Sequence, residues 1–383
     1  MKTLFTFVFS LSISVLFSQK ATQIKHLDGK TVSSEVLQKK LQQIVDSAHL
    51  AGLQVAIINK NKVVWSNSFG YKDVENQKKL DDNTAMYAAS LTKPVSAYVF
   101  LRLVDKGIFE LDKPIHHYLK KPIKEYPKWK DLNDNIEFFN LITPRMLLSH
   151  SAGLPVLRQL YDNKVVFLAK PGEKYYYSNE GINLLGFIIE EYTGKTLKII
   201  ASEEAFTPLK MSTTSMVWES KFENNFSNAY FSDGKKYGSE RRESSRAAGS
   251  MTTTAVDYSQ FIIQLMTGKG LEKKTIHQML SPQIAVKSKR GFGPQKDIFN
   301  NENEKIQLSW GLGIGLFRSS YGLGFFHTGH GDANQNFALA FPDKEIAVVL
   351  MSNSENFEHV SKQILEACVG KSSVPLEWLG HLD

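Results

Sequence analysis

"LQVAIINKNKVVWSNSFGY", residues 53–71, sets the character of the first part of the chain. Its two halves are rich in β-branched and aromatic residues, and the polar run NKNK (59–62) joins them. This pattern predicts a β-hairpin. The preceding stretch, SSEVLQKKLQQIVDSAHLAG (33–52), opens with serines, repeats apolar residues at helical spacing and ends near a glycine. It predicts a helix that leads into the hairpin.

The middle of the chain has helical character, and strands return near its end. Residues 94–106 predict a helix that ends at Gly107, and residues 284–306 are polar and irregular, which indicates a surface excursion. Further helical or helix-flanking segments are ITPRMLLSHSAG (142–153), NEGINLLGFIIEEYTG (179–194) and TTTAVDYSQFIIQLMTGKG (252–270). The later strand-like segments are WGLGIGLFR (310–318), YGLGFFHTG (321–329), NFALAFPD (336–343) and EIAVVLMSN (345–353), followed by a helix from about Glu358 to Val369.

This arrangement predicts an α/β (α+β) fold: an antiparallel sheet flanked by helices, with an inserted and mostly helical domain. We expect residues 22–88 and 305–383 to form the sheet domain and residues 89–304 to form the helical domain. Clefts between domains commonly hold binding sites, so the active site is expected at this interface.

Composition and the N-terminus indicate an exported globular protein. The chain has 383 residues, is 42% apolar and 22% charged, and its formal charge of +7 is spread along the sequence. Residues 1–18 combine Lys2 with a short apolar run and a polar exit, which predicts a signal peptide and a periplasmic or secreted protein without stable membrane insertion. The lysine-rich stretch 119–130 predicts a solvated surface or an anionic cell-envelope partner, and no nucleic-acid motif is present. The single cysteine, Cys368, excludes an internal disulfide and fits core packing.

The stretch AASLTKPVSAYVF (88–100) places Ser90 and Lys93 three residues apart at the start of a predicted helix. Serine is a common helix N-cap, so capping is one interpretation. The other is catalytic. A lysine one helical turn away lies on the same face, and desolvation lowers a lysine pKa, so Lys93 could take the proton of a serine nucleophile.

Two more short motifs follow. Tyr177-Ser178-Asn179 precedes a helical run, and His327-Thr328-Gly329 ends a predicted strand. Each has a structural interpretation, as an aromatic residue beside a helix cap and as a strand that ends in a glycine turn.

Taken together in the order SLTK, YSN and HTG, the motifs resemble those of the penicillin-recognising serine hydrolases: class C β-lactamases, serine D-alanyl-D-alanine carboxypeptidases and related serine esterases. The resemblance covers roughly residues 35–370. It implies that Ser90 forms an acyl-enzyme and that Tyr177 passes a proton to the leaving group. Whether Lys93 or Tyr177 is the base in acylation stays open at the level of sequence.

The resemblance also implies roles for the surrounding residues. Asn179 would bind a substrate amide or tether the lysine, and the backbone N–H groups of Ser90 and His330 would form the oxyanion hole. Thr328 would contact a substrate carboxylate or carbonyl, and Gly329 would let the substrate lie close to the strand. No metal or organic cofactor is expected, and the expected substrates are D-alanyl peptides (cell-wall peptides among them), β-lactams or small esters.

His327 is counted among the substrate-binding residues, but it departs from the lysine that many class C β-lactamases carry there. Histidine is only partly charged near neutral pH, so peptidase or esterase activity is favoured over efficient β-lactam hydrolysis.

Three other functions compete with this interpretation. His327, His330 and Asp332 could ligate a metal, but their spacing on a strand end is not the helical spacing that directs two imidazoles at one ion. A triad using His150 would need a G-x-S-x-G elbow, which is absent from a strand–turn–helix setting, so His150 is expected to be a hydrogen-bonded structural residue. A cell-wall-peptide binding or sensor protein without turnover is the remaining alternative, and the full set of Ser90, Lys93 and Tyr177 favours an enzyme.

Overall fold

The structure, a computed structural model, describes residues 21–381. The predicted signal peptide lies outside the described residues, so it remains a prediction.

Ten α-helices and fifteen strands are assigned within the described residues, besides short 3₁₀ and π turns. The helices are α1 Ser34–Ser47, α2 Thr92–Asp105, α3 Ile136–Leu141, α4 Pro144–Leu148, α5 Asn179–Thr193, α6 Leu197–Ala201, α7 Ala255–Thr267, α8 Lys273–Met279, α9 Phe357–Val369 and α10 Leu376–Leu379. The strands are β1 Gln23–Lys25, β2 Thr31–Ser33, β3 Gly52–Asn59, β4 Lys62–Asp73, β5 Lys78–Lys79, β6 Met86–Tyr87, β7 Ala229–Tyr230, β8 Lys236–Gly238, β9 Thr252–Thr253, β10 Ile284–Ala285, β11 Ser309–Trp310, β12 Gly315–Ser319, β13 Gly322–His330, β14 Gln335–Phe341 and β15 Ile346–Ser352.

Nine of these strands form one antiparallel sheet in the order β10-β11-β12-β13-β14-β15-β3-β4-β5. The N-terminal hairpin β3–β4 joins the C-terminal strands through β3 and β15, where Ala56 lies opposite Val349. The prediction of one antiparallel sheet built from both ends of the chain is confirmed.

The sheet is covered on both faces, and β3 shows why. All of its residues are buried, and successive side chains in a strand point to opposite faces. Leu53 and Val55 belong to the hydrophobic core that includes the buried residues of α1 and α9. Ala56 and Ile58 belong to the second core, which continues into the helical region. The sheet is therefore the middle layer of the molecule.

Helix α2 is the central helix of the inserted region. Eleven of its fourteen residues are buried, and Pro94 is accommodated because the first turn of a helix needs no backbone donor there. The predicted helix over 94–106 is thus present, shifted by one or two residues. Thr254 caps α7 and Ser178 caps α5, each through its side-chain oxygen, and both helices end at a glycine in the left-handed conformation.

Two local features refine the sequence-based predictions. The segment 284–306 is mostly irregular, but its first two residues form β10, which pairs with β11 at the edge of the sheet. The sheet thus takes one strand from the range assigned to the helical domain. Cys368 is fully buried in α9, as expected for a packing residue. Over residues 21–381, no helix is long and apolar enough to span a bilayer.

Candidate active site

Ser90 lies in a single 3₁₀ turn, Ala89–Leu91, between β6 and α2. The α-helix begins two residues later than the serine. Ala89 has a φ of +47°, a left-handed conformation that is uncommon and costly for a residue other than glycine. The turn is held from both sides: the Ala88 N–H donates to the Met251 carbonyl at 2.9 Å, and the Asn336 side-chain amide donates to the Tyr87 carbonyl at 3.1 Å.

Lys93 is fully buried directly below the serine. Its Nζ lies 2.8 Å from Ser90 Oγ and 2.7 Å from the carbonyl oxygen of Ala248. Burial lowers the pKa of the Lys93 amino group well below its ordinary value, because the charged form loses its hydration. An amine in its neutral form keeps a lone pair, and at this distance it can accept a proton from the serine hydroxyl.

Tyr177 completes the set above the lysine. Its ring centroid lies 4.9 Å from Lys93 Nζ. Burial raises the pKa of Tyr177 well above its ordinary value, and the interaction with the Ser90 side chain offsets only part of this effect. The phenol therefore keeps its proton near neutral pH.

His150 contacts Tyr177 and the residues on either side of it in the chain. Its carbonyl accepts a hydrogen bond from the Tyr176 N–H at 2.7 Å, and its Nδ1 accepts one from the Ser178 N–H at 3.1 Å. Its ring centroid lies 4.5 Å from that of Tyr177. Burial lowers the pKa of His150 well below its ordinary value, and Lys93 and His327 lower it further by smaller amounts. The imidazole is therefore neutral. His150 is the hydrogen-bonded structural residue expected from sequence, and the structure adds that the side chain it holds is Tyr177.

His327 differs from the expectation of a partly charged substrate-binding residue. It is 2% exposed and lies behind Tyr177, with ring centroids 6.3 Å apart, rather than on the wall of the hollow above Ser90. Its Nδ1 lies 2.7 Å from the carbonyl oxygen of Thr328, so this nitrogen carries the proton. Burial, helped by Lys93, lowers the pKa of His327 to about 3, and the backbone hydrogen bond opposes this weakly. The imidazole is neutral at neutral pH.

The remaining predicted residues meet at a hollow of about 460 Å³ above Ser90. Asn179, Thr328 and His330 all line it together with Ser90 and Tyr177. The Asn179 side-chain oxygen is buried and has no hydrogen-bond partner among the described residues, so its capacity to accept a hydrogen bond is unused. The backbone N–H groups proposed for the oxyanion hole stay a prediction.

Gly329 lies on β13 between Thr328 and His330, and the structure gives a separate reason for a glycine there. A Cβ at this position would lie 2.5 Å from the Ala88 carbonyl oxygen and 2.9 Å from the Asn336 side-chain nitrogen. The absent side chain lets β13 approach the turn that carries Ser90.

One wall of the hollow was missed by the sequence analysis. Arg242, from the irregular segment before α7, lines the hollow and lies 4.6 Å from the Tyr87 ring centroid. It forms an ion pair of 2.6 Å with the buried Glu240. The run SERRESSR (239–246) offers no spacing that marks this wall, because it is a charged loop placed by tertiary contacts.

The opposite rim is formed by His330, Glu358 and His381. His330 Nδ1 and His381 Nε2 lie 2.9 Å and 3.4 Å from the same Glu358 oxygen. Burial alone would raise the pKa of Glu358, but the two histidines outweigh it and lower this pKa to about 2. The hydrogen bond to Glu358 raises the pKa of His330 more than its burial lowers it. His381 places the end of the chain beside the site, which sequence spacing alone does not indicate.

The metal interpretation of His327 and His330 finds no support in their placement. The two residues are three apart on β13, so their side chains point to opposite faces of the sheet. Across residues 21–381, no group of three or more histidine, cysteine, aspartate or glutamate side chains is arranged to hold a metal ion.

Comparison with known proteins agrees with this geometry. The Beta-lactamase family model matches residues 37–371, a span that contains Ser90, Tyr177 and His327. The chain belongs to the beta-lactamase family. The resemblance seen in the three sequence motifs is thereby confirmed for the family.

Curated relatives in this family match only part of their own length. Protein flp of Staphylococcus aureus (strain MRSA252) is 22% identical over 356 residues, which cover 87% of this chain and 65% of flp. Serine beta-lactamase-like protein LACTB, mitochondrial, of Mus musculus is 31% identical over 114 residues, which cover 30% of this chain and 19% of LACTB. The chain thus spans less than two thirds of the length of these beta-lactamase relatives.

Solved structures share the fold. The octameric penicillin-binding protein homologue from Pyrococcus abyssi aligns with a TM-score of 0.72 at 20% identity, covering 89% of this chain and 78% of that one. The D-alanine carboxypeptidase AmpC from Burkholderia cenocepacia aligns with a TM-score of 0.68 at 15% identity, covering 87% and 98%. At these identities the likeness establishes the beta-lactamase-type fold.

Proposed function

We propose that this beta-lactamase family member is an exported serine hydrolase that forms an acyl-enzyme at Ser90. The observation that carries the proposal is the contact of 2.8 Å between Ser90 Oγ and the buried Lys93 amine. A serine hydroxyl becomes a nucleophile when a positioned base takes its proton, and burial, which lowers the pKa of this amine, favours its basic form.

The two pKa shifts separate the roles of lysine and tyrosine. Lys93, whose pKa is lowered, accepts the hydroxyl proton while Ser90 Oγ attacks the substrate carbonyl carbon. Tyr177, whose pKa is raised, still holds its proton and gives it to the leaving oxygen or nitrogen as that bond breaks. The proton on Lys93 then passes to Tyr177. This assignment makes Lys93 the base in acylation, the point that the sequence left open.

Two backbone donors and two side chains would hold the substrate. The N–H groups of Ser90 and His330 would stabilise the oxyanion, and the loss of one such donor typically costs ~10²–10³ in rate. Asn179 would accept from a substrate N–H, and Thr328 would donate to a carbonyl or carboxylate oxygen. In deacylation, water replaces the leaving group and attacks the Ser90 ester, with the same groups moving the proton.

The neutral state of His327 bears on the substrate. A lysine at this position would offer a permanent positive charge beside the nucleophile, whereas a buried imidazole with a pKa of about 3 offers none. This disfavours efficient turnover of β-lactams, whose carboxylate calls for a fixed cation. The terminal carboxylate of a D-alanyl peptide would also find no cation at His327, so small esters are favoured. Neither a metal nor an organic cofactor is needed for the proposed steps.

Intact-mass spectrometry tests the acyl-enzyme directly. The mature protein is incubated separately with a penicillin, p-nitrophenyl acetate and a D-alanyl-D-alanine peptide. An adduct is expected on the wild type and on Ser96→Ala, and it is expected to be absent from Ser90→Ala. Ser96 is a matched control because it lies on the same helix and is buried, with its Oγ bonded to the Ala247 carbonyl. If no compound reacts and Ser90→Ala behaves like the wild type, the binding or sensor alternative replaces the enzyme.

A further inference from the structure

A second hollow of about 410 Å³ adjoins the one that contains Ser90. The two share three wall residues, Val156, Tyr177 and Phe292. Phe292 meets the Tyr177 ring edge to face, with centroids 5.1 Å apart. The boundary between the hollows is therefore a pair of side chains rather than a strand or helix, and the second hollow continues the first past Tyr177.

The second hollow has an aromatic and aliphatic wall. Besides the shared residues, it is lined by side chains of two loops and of the segment before α5, among them Leu160, Leu168, Tyr161, Tyr175 and Tyr176. At its mouth Leu160 is 62% exposed and Phe292 is 42% exposed. When an apolar group covers large apolar side chains that are exposed to water at a concave surface, the free energy of the system falls.

The charged residues of this wall do not call for a charged ligand. Lys296 and Asp297 pair with each other at 2.7 Å. A ligand group that carries a carboxylate would have to compete with Asp297 for this lysine. An uncharged apolar group does not face this competition.

Tyr177 fixes which end of the substrate reaches this hollow. In the proposed reaction Tyr177 protonates the leaving group, so the leaving oxygen or nitrogen must lie next to its hydroxyl. The part of the substrate attached to that atom then lies on the side of Tyr177, where the second hollow opens.

Resting on the proposed function, we infer that this hollow is the leaving-group subsite and that it binds an uncharged alkyl or aryl group. The preferred substrates are then esters or amides of apolar alcohols or amines, in preference to peptides that release an amino acid with a free carboxylate. Of the three expected substrate classes, this favours small esters over D-alanyl peptides and β-lactams.

Two ester series test the inference. The first holds the acyl group as acetate and varies the alcohol through ethanol, butanol, hexanol and octanol, which differ little in intrinsic reactivity. The second holds ethanol and lengthens the acyl group by the same steps. We expect kcat/KM to rise in the alcohol series by up to about fourfold per methylene, as for burial of apolar surface, until the hollow is full. The acyl series is expected to show no comparable rise.

Two leucine variants localise the effect. Leu160→Glu places a charge at the mouth of the hollow and is expected to remove most of the rise along the alcohol series. Leu141→Glu changes an equally apolar residue, 44% exposed at the end of α3 and outside both hollows, and is expected to keep the rise.

The outcomes separate this inference from the function on which it rests. A flat alcohol series, a rise in the acyl series instead, or an unchanged rise in Leu160→Glu would overturn the subsite. If the wild type forms no adduct with the penicillin, p-nitrophenyl acetate or the D-alanyl-D-alanine peptide in the mass-spectrometric test, the proposed hydrolase itself fails.

Discussion

Gly329 offers the sharpest test of how the site is held together. Substitution by alanine adds one methyl group, and that Cβ would lie 2.5 Å from the Ala88 carbonyl oxygen. Ordinary contacts of this kind begin near 3.4 Å, so β13 and the turn that carries Ser90 must move apart by 0.9 Å. Both partners are backbone, which has no rotamer to relieve the clash.

The size of the effect follows from that displacement. A misplacement of about 1 Å in a catalytic constellation can cost ~10²-fold in rate. Overpacking a buried position typically costs about 1–3 kcal/mol of stability. We therefore expect Gly329→Ala to lose about two orders of magnitude in kcat, with a smaller effect on KM, while the protein stays folded.

Gly249→Ala is the matched control. It adds a methyl group on another side of the same turn, but its Cβ would lie 3.5 Å from the Ala89 carbonyl oxygen, an ordinary contact. The assay is ester hydrolysis under saturating and limiting substrate, together with thermal unfolding of both variants. If Gly329→Ala keeps kcat within about threefold of the wild type, or if Gly249→Ala loses as much, the close approach does not position the nucleophile.

Three further predictions follow from the pKa shifts and contacts of the site. Lys93→Met is expected to lose ~10²–10⁴ in kcat/KM. In the wild type, the acid limb of the pH–rate profile should lie well below the ordinary lysine pKa of 10.5. If the variant keeps this limb, the limb belongs to a group other than Lys93. His150→Leu removes the acceptor for the Ser178 N–H and should slow the hydrolysis of ethyl acetate far more than that of p-nitrophenyl acetate, whose leaving group needs no proton from Tyr177. His150→Asn retains an acceptor and tolerates the φ of +57°, so it should recover part of the lost rate. Equal slowing of both hydrolyses would mean general misfolding. The pKa of Glu358 is lowered from 4.5 to about 2 and that of His330 is raised from 6.5; their pair therefore stabilises the fold most between pH 4.5 and 6.5, and this stability is lost as pH falls toward 2 or rises through the raised pKa of His330. The difference in Tm between wild type and Glu358→Gln should be largest in that window, and a difference independent of pH would refute the coupling.

Local patterns in the sequence predicted most of the fold. The apolar run at 53–58 and the strands after Trp310 gave the sheet because their residue types and spacing are local properties. The register that joins β3 to β15 could not be read in the same way, since both strands are mostly apolar and are buried at every position, so many alignments bury them equally well.

The residues of the candidate site that belong to short sequence motifs could be predicted. Those that reach the site through tertiary contacts could not. Ser90 and Lys93 are linked by one helical turn, so their contact follows from spacing alone. The contacts of His150 around Tyr177 and the position of Arg242 beside the hollow depend on loops that are far apart in the chain. The charge state of His327 was predicted as partial because its burial is a property of the folded molecule.

The pairing of β3 with β15 has a consequence for how the protein is made. Ser352 donates to the Gly52 carbonyl across 300 residues of sequence, so the middle of the sheet closes only after the residues up to Ser352 have left the ribosome. Until then the hairpin β3–β4 carries an unpaired edge made of residues that are all buried in the finished protein. Loop closure over such a distance is slow, whereas the helices of the inserted region depend on nearer contacts. A chain that stops before residue 346 is therefore expected to aggregate through the open edge of β3 rather than to persist as a smaller folded protein.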